Sequence, residues 1–312
     1  MTTFAFVFPG QGSQAIGMLD AWGDDAAVRQ TLGEASDVLD IDMAALIRSG
    51  PKDRLDLTTN TQPVMLTAGI ACYRAWLAQT GRAPRVVAGH SLGEYTALVA
   101  AGVLSLADAL PLVRFRAQAM QDAVPVGAGA MAAILGLDAG AVRDGCAQVV
   151  AATGEVVEAA NFNDPKQTVI AGTKAGVDKA CEVLKAKGAK RALLLQVSAP
   201  FHSSLMKPAA DRLKERLATT AFGVPQIPVV NNVDVKVESN AAAIRDALYR
   251  QAFGTVRWAE TVLAIRARGV THIIECGPGK VLAGMVKRID VDALSGAVFD
   301  PASLAEVKAL TA

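Results

Sequence analysis

Residues Phe4-Ala5-Phe6-Val7-Phe8 form an unbroken apolar run that stops at Pro9-Gly10. A short run without polar alternation, closed by a Pro-Gly pair, predicts a strand buried on both faces. Residues 62–79 are rich in Ala and Leu at helical spacing and predict a helix. A second short strand is expected at 85–88, followed by a tight turn, a small-residue helix over 92–101 and another helix over 106–123. Strands alternating with helices in this way predict an α/β fold with a mostly parallel sheet.

The texture changes near Gly127-Ala128-Gly129, which reads as a hinge. Strands are expected at 130–136, 156–161, 168–171 and 191–197, with helices over 138–152 and 174–187. That β-α-β-β-α-β order is the split pattern of a ferredoxin-like unit. The expected organisation is a large α/β domain, 1–127 and 199–312, carrying an inserted ferredoxin-like α+β subdomain at 128–198. The α/β texture resumes after the insertion, with strands at 229–230 and 272–275.

Composition narrows the function classes. Among 312 residues, 52% are hydrophobic and 31 Lys and Arg balance 30 Asp and Glu, for a net charge of +1. That balance argues against a nucleic-acid binder or a polybasic membrane-surface protein. Cys72, Cys146, Cys181 and Cys276 are scattered, with no CxxC and no Cys/His cluster, so neither a disulfide framework nor a metal site is expected. No basic residue precedes Arg29, as a signal peptide would require. No apolar run reaches the roughly 18 residues of a membrane span. The expectation is a cytoplasmic, monomeric protein.

The strongest chemical signal is Gly89-His90-Ser91-Leu92-Gly93, a match to G-x-S-x-G. The letters alone fit an ordinary glycine-rich turn with a serine cap. The predicted strand before and helix after them are what a nucleophile elbow needs, and they make Ser91 the candidate nucleophile. Unpaired N–H groups at the helix start would favour negative charge developing there. A serine nucleophile needs a base, and the chain has three histidines. His90 adjoins Ser91 at the strand end and reads as support for the turn. His272 falls inside a strand and reads as structural. His202 lies in the loop 198–203 directly after a strand, where open α/β sheets place their sites, and is the favoured base. Its orienting partner stays open between Asp164, a backbone carbonyl and an Asn or Gln amide.

Two nucleotide readings fail on spacing. Gly10, Gly12 and Gly17 do not give GxGxxG, and Gly279-Lys280 is followed by Val281 instead of Ser or Thr. The first glycine-rich loop, with Gln11 at its tip, is instead a candidate oxyanion hole.

Taken together, these residues resemble the malonyl-CoA:acyl carrier protein transacylases of fatty acid synthesis from end to end. The resemblance is carried by Phe8-Pro-Gly-Gln-Gly-Ser-Gln14, Gly89-His-Ser-Leu-Gly93, Arg114-Phe-Arg116, Gly129-Ala-Met131 and Asn161-Phe-Asn163. Further along it rests on Pro200-Phe-His202, Asn231-Asn-Val-Asp234 and Gly277-Pro-Gly-Lys280. It implies that the large domain is an α/β-hydrolase-like catalytic domain, with a malonyl ester on Ser91, His202 as base, the main-chain carbonyl of Gln251 orienting that histidine, and an oxyanion hole from Gln11 and the Leu92 N–H. It also implies that Arg116 binds the malonyl carboxylate, a planar bidentate match. Arg114 and Arg116 are two apart on a helix, so at most one of them enters the site. Phe201 and Leu92 resemble the malonyl selectors of related polyketide acyltransferases. Met131, Asn161 and Asn163 would contact substrate, although Asn163-Asp164-Pro165 also reads as a plain turn.

The implied substrates are malonyl-CoA and holo-acyl carrier protein, with no cofactor. Between 178 and 191 five positive side chains face two negative ones. A solvated helix face is the plainer reading, with Lys190 and Arg191 the candidates for steering an acidic carrier protein. The rival readings are a serine hydrolase on the same elbow, a non-catalytic carrier-binding protein, and a polyketide-pathway acyltransferase acting in trans.

Overall fold

Nine strands follow one another among the residues, 2–312, that the computed structural model describes. They are β1 (Phe4–Phe8), β2 (Val86–Gly89), β3 (Gly129–Leu135), β4 (Val157–Asp164), β5 (Gln167–Thr173), β6 (Arg191–Leu194), β7 (Val229–Val230), β8 (His272–Cys276) and β9 (Leu294–Val298). One sheet is parallel throughout, in the order β7-β2-β1-β8-β9. The other is antiparallel, in the order β4-β5-β3-β6.

The sequence of β1 explains the layers around the parallel sheet. Successive side chains point to opposite faces, so Phe4, Phe6 and Phe8 go one way and Ala5 and Val7 the other. The rings meet the helix Thr58–Thr80, where Phe6 stands edge-on to Trp76 at 5.4 Å and to Tyr73 at 6.1 Å between centroids. The small side chains admit Trp258, Val262 and Ile265 of the helix Trp258–Arg266. Helices on both faces leave the strands no polar side to show. Thr58–Thr80 is itself buried between the sheet and the helices Ala26–Leu39 and Leu106–Asp122. Its one charged residue, Arg74, reaches Glu34 at 2.7 Å.

The antiparallel sheet divides its side chains in the same way. Ala132 and Ile134 of β3 pack on the helices Ala139–Thr153 and Lys174–Ala186, while Met131 and Ala133 pack with Val197 and Phe201 on the opposite face. The two sheets are stitched together along β4. Val256 donates to the Ala160 carbonyl at 2.9 Å and accepts from the Phe162 N–H at 2.9 Å, a parallel bridge beside Asn161. Arg288 closes on the buried Asp164 at 2.7 Å.

Some local expectations shift. β4 runs on through Asn161 and Asn163 to Asp164, so the turn is confined to Pro165 and Lys166. β6 stops at Leu194, since only the Leu195 N–H still reaches Met131 before the chain turns toward Pro200. β9 had no expectation: an edge strand with Leu294 half exposed and Gly296 at its centre carries little apolar signal. Gly127 takes φ +84, and a Cβ on Gly129 would come within 2.4 Å of the Pro200 ring. The glycines read as a hinge therefore make a turn and a close contact.

Two other glycines set the distance between sheet and helix. A Cβ on Gly89 would meet the Gly93 carbonyl at 1.9 Å, and one on Gly93 would meet the Phe8 carbonyl oxygen at 2.1 Å. Gly93→Ala is expected to cost about 3 kcal/mol of stability. Gly33→Ala, in the helix Ala26–Leu39 with nothing within 4 Å of the new methyl, is expected to add about 0.5–1 kcal/mol. Thermal melts of the two variants should move in opposite directions; an unchanged melt for Gly93→Ala would refute the crowding at the elbow.

Candidate active site

β2 delivers the chain to the C-terminal edge of the parallel sheet, and the helix Gly93–Ala100 departs from it. Ser91 makes the reversal in a left-handed conformation, φ +52, which is costly for a residue with a Cβ. Asn232 holds it there. Its Oδ1 accepts the Ser91 N–H at 2.8 Å and its Nδ2 donates to the Gly89 carbonyl at 2.8 Å.

The Ser91 hydroxyl donates to His202 Nε2 at 2.6 Å. Nδ1 of the same ring donates to the main-chain carbonyl of Gln251 at 2.9 Å. A carbonyl can only accept, so Nδ1 carries the proton and Nε2 turns its lone pair to Ser91. Asp164, open as an alternative orienter, is committed to Arg288 and the Lys166 N–H. His202 sits in a loop at φ +61, braced by the Ser203 hydroxyl on the Pro200 carbonyl at 2.7 Å. Burial, with the Arg116 charge second, pushes its pKa from 6.5 down to about 3. The ring is a neutral base throughout the physiological range.

Arg116 is buried, and its hydrogen bonds go to neutral oxygens: Gln62 Oε1 at 2.9 Å, Gln251 Oε1 at 3.2 Å and Ser91 Oγ at 3.2 Å. Its guanidinium also lies 5.4 Å from the centre of the Tyr95 ring. A buried cation is costly without an anion in contact, and Glu94 acts on this one only at longer range. Arg114 faces away, exposed, on the Leu39 carbonyl at 3.2 Å.

A cleft of about 610 Å³ brings Ser91, His202 and Arg116 together with Gln11, Leu92, Met131 and Phe201. Gln11 is exposed on its loop, its amide 3.4 Å from Thr58 Oγ1. The Leu92 N–H heads the helix Gly93–Ala100 with no acceptor among the described residues. Asn161 and Asn163 also line the cleft, but both turn toward His90. Asn163 Oδ1 accepts from His90 Nε2 at 2.9 Å, and Asn161 Nδ2 lies 3.4 Å from the same nitrogen. The His90 ring lies 5.4 Å from that of Trp258 and supports the wall instead of the base position. His272 pairs with the Thr271 hydroxyl at 2.8 Å, outside the cleft. Lys190 and Arg191 are exposed at the start of β6 and do not line the cleft, whereas residues 195–197 beyond them do.

Sequence reasoning assigned no role to Gln62, Asn232 or Glu94. Glu94 had a signal, an acid in an apolar helix; Asn232 stood in a quoted motif; Gln62 had none.

A parallel sheet whose central elbow presents a serine to a neutral histidine defines an α/β enzyme of the serine acyl-transfer class. Residues 5–296 match the acyl transferase domain, and the chain belongs to that family. It is 53% identical over 306 residues to the malonyl CoA-acyl carrier protein transacylase of Escherichia coli K12, covering 98% of each chain. Among solved structures it is similar to the acyl-carrier-protein S-malonyltransferase of Burkholderia pseudomallei, at 66% identity and a TM-score of 0.96, covering 98% of this chain and 99% of that one. It is also similar to a malonyl-transacylase solved with its type II PKS acyl-carrier protein, at 51% identity and a TM-score of 0.95, covering 97% and 98%.

The depressed His202 pKa has a sign that can be tested. An ordinary histidine would become cationic as pH falls through 6.5, whereas His202 stays neutral well below it. Labelling of Ser91 by an uncharged sulfonyl fluoride is therefore expected to change less than about threefold between about pH 7.5 and pH 5.5, where an unshifted imidazole would lose about tenfold. A tenfold fall would overturn the assignment of a buried neutral base.

Proposed function

We propose that this protein transfers the malonyl group of malonyl-CoA to the phosphopantetheine thiol of an acyl carrier protein by a ping-pong route through an ester on Ser91. The observation that carries the reading is Arg116, a buried guanidinium 3.2 Å from the Ser91 hydroxyl whose hydrogen-bond partners are all neutral oxygens. Malonyl is an acyl group with a free carboxylate, and a planar guanidinium offers it a bidentate partner next to the reacting carbonyl.

Ser91 Oγ attacks the thioester carbonyl while its proton passes to His202 Nε2. The oxyanion is held by the Leu92 N–H, with Gln11 across the cleft, donors typically worth about 3–4 kcal/mol each. The C–S bond breaks, and the coenzyme A sulfur leaves with the proton from His202. The carrier's thiol then attacks the malonyl ester and gives its proton to His202, which returns it to Ser91 Oγ as the C–O bond breaks. Gln251 keeps the ring aligned through both halves. Met131, Phe201, Asn161 and Asn163 form the walls that receive the acyl group and the pantetheine arm. The scheme calls on no cofactor.

The strand order β4-β5-β3-β6, with both helices on one face, supports reading 128–198 as a ferredoxin-like insertion in an α/β-hydrolase-like domain. Among the described residues no helix is long and apolar enough to cross a membrane. We place the enzyme in the cytoplasm as a monomer, with Lys190 and Arg191 on the rim that meets the acidic carrier.

Intact-mass spectrometry after malonyl-CoA, then after holo-carrier protein, should show one malonyl group appear and then leave for the carrier. Ser91→Ala should abolish the adduct and lower turnover by about 10⁴-fold. Arg116→Ala should lower malonyl kcat/KM by roughly 100-fold while sparing uncharged acyl groups. Release of free malonate in place of malonyl-carrier would identify a hydrolase; equal losses for both acyl types would reject Arg116 as the carboxylate clamp.

A further inference from the structure

Glu94 has no part in the proton transfers described above, yet its carboxylate is buried, at 2% exposure, in the first turn of the helix that follows Ser91. Its Oε2 accepts two hydrogen bonds, from the Asn232 N–H at 2.9 Å and from Gln251 Nε2 at 2.9 Å. Each of these partners holds a different part of the site. Asn232 clamps the elbow on both sides of Ser91. Gln251 supplies the carbonyl behind His202 and the amide oxygen on which Arg116 rests.

The Gln251 side chain is where the geometry becomes informative. An amide is asymmetric: one end only donates and the other only accepts. Its nitrogen faces two acceptors, Glu94 Oε2 and the Ser91 carbonyl at 3.0 Å, and this leaves the oxygen to face Arg116. Turned over, the amide would set an NH₂ against the guanidinium and an oxygen against a carboxylate. Gln251, Arg116 and Glu94 are all buried, so each misplaced group costs its full desolvation penalty. Glu94 thus selects which end of Gln251 meets Arg116.

We infer that Glu94 is a positioning residue for acyl selection: through the Gln251 amide it aims Arg116 at the acyl group on Ser91, and through Asn232 it holds the Ser91 elbow. The inference rests on the malonyl-transfer reading. Burial pushes the Glu94 pKa up to about 7, against the opposing pull of Gln251, Asn232 and Arg116. Protonation does not release the partners, because the oxygen that accepts from them still accepts in the acid form.

The test compares loading of Ser91 from malonyl-CoA and from acetyl-CoA, read by intact mass on the full chain. Acetyl needs the serine and the histidine but has no carboxylate for Arg116. Glu94→Ala should slow both reactions through the elbow, and should in addition lower the malonyl-to-acetyl ratio by about tenfold. Glu94→Gln, whose amide oxygen can accept the same two bonds, should keep the ratio within about threefold of the unsubstituted chain. Gln251→Leu leaves the main-chain carbonyl behind His202 in place and removes the side-chain amide that links Arg116 to Glu94 and the Ser91 carbonyl. It should repeat the loss of ratio, and it answers the question even where Glu94→Ala fails to fold. An unchanged ratio in Gln251→Leu, equal losses for both acyl groups in Glu94→Ala, or a Glu94→Gln as impaired as Glu94→Ala would overturn the inference. Absence of malonyl-Ser91 in the unsubstituted chain would overturn the functional reading itself, and this inference with it.

Discussion

The site depends on how closely a helix can approach the end of a strand. β2 lies beside β1, and the helix that follows Ser91 must leave over the Phe8 carbonyl with no side chain between them. Gly89 and Gly93 remove the Cβ atoms that would forbid it, a Gly93 Cβ falling 2.1 Å from that carbonyl oxygen. The geometry leaves the residue between them in a left-handed turn, which projects the serine hydroxyl beyond the sheet edge and frees the next N–H from any helical partner. The proposed nucleophile and the proposed anion-stabilising donor are thus two results of one steric condition.

Around that fixed point the other groups arrive from distant parts of the chain. His202 comes from the loop after β6, Arg116 from the helix Leu106–Asp122 and Gln251 from the end of the helix Ala241–Gln251. Their charges are balanced unevenly. A buried cation lies against neutral oxygens beside a histidine that burial keeps neutral, so the protein sets no anion in contact with it. Water would dissipate that potential, and in a confined cleft it persists. Under the proposed function, that potential would bias the site toward acyl groups that carry their own negative charge.

Much of this was legible in the letters. β1 and β2 were readable because parallel strands buried on both faces leave apolar runs, and the elbow because its chemistry is local in sequence. Ser91 followed from the strand–turn–helix context, and His202 from its place after a strand. The roles of Gln251 and Arg116 came only through resemblance. A main-chain carbonyl has no side-chain signature, and nothing in Arg114-Phe115-Arg116 says which arginine turns inward. Asn163-Asp164-Pro165 suggested a turn because its composition is that of turns, whereas pairing of Phe162 and Asp164 with β5, beside the bridge from Asn161 to Val256, keeps Asn163 in β4. Long-range stitches of that kind leave no trace in local pattern.

That bridge also makes one mechanical body of two parts that the sequence presents as separate. Val256 is bonded on both sides to β4, and Gln251, five residues upstream, is the anchor of the catalytic imidazole. A wholesale swing of the smaller lobe would drag the anchor with it and lengthen the contact between base and nucleophile. Any widening of the cleft would therefore fall to side chains of its lining, of which the thioethers of Met131 and Met285 are the most adaptable. Bulk brought into the cleft would then be met first by its side chains, with the contact between base and nucleophile left in place.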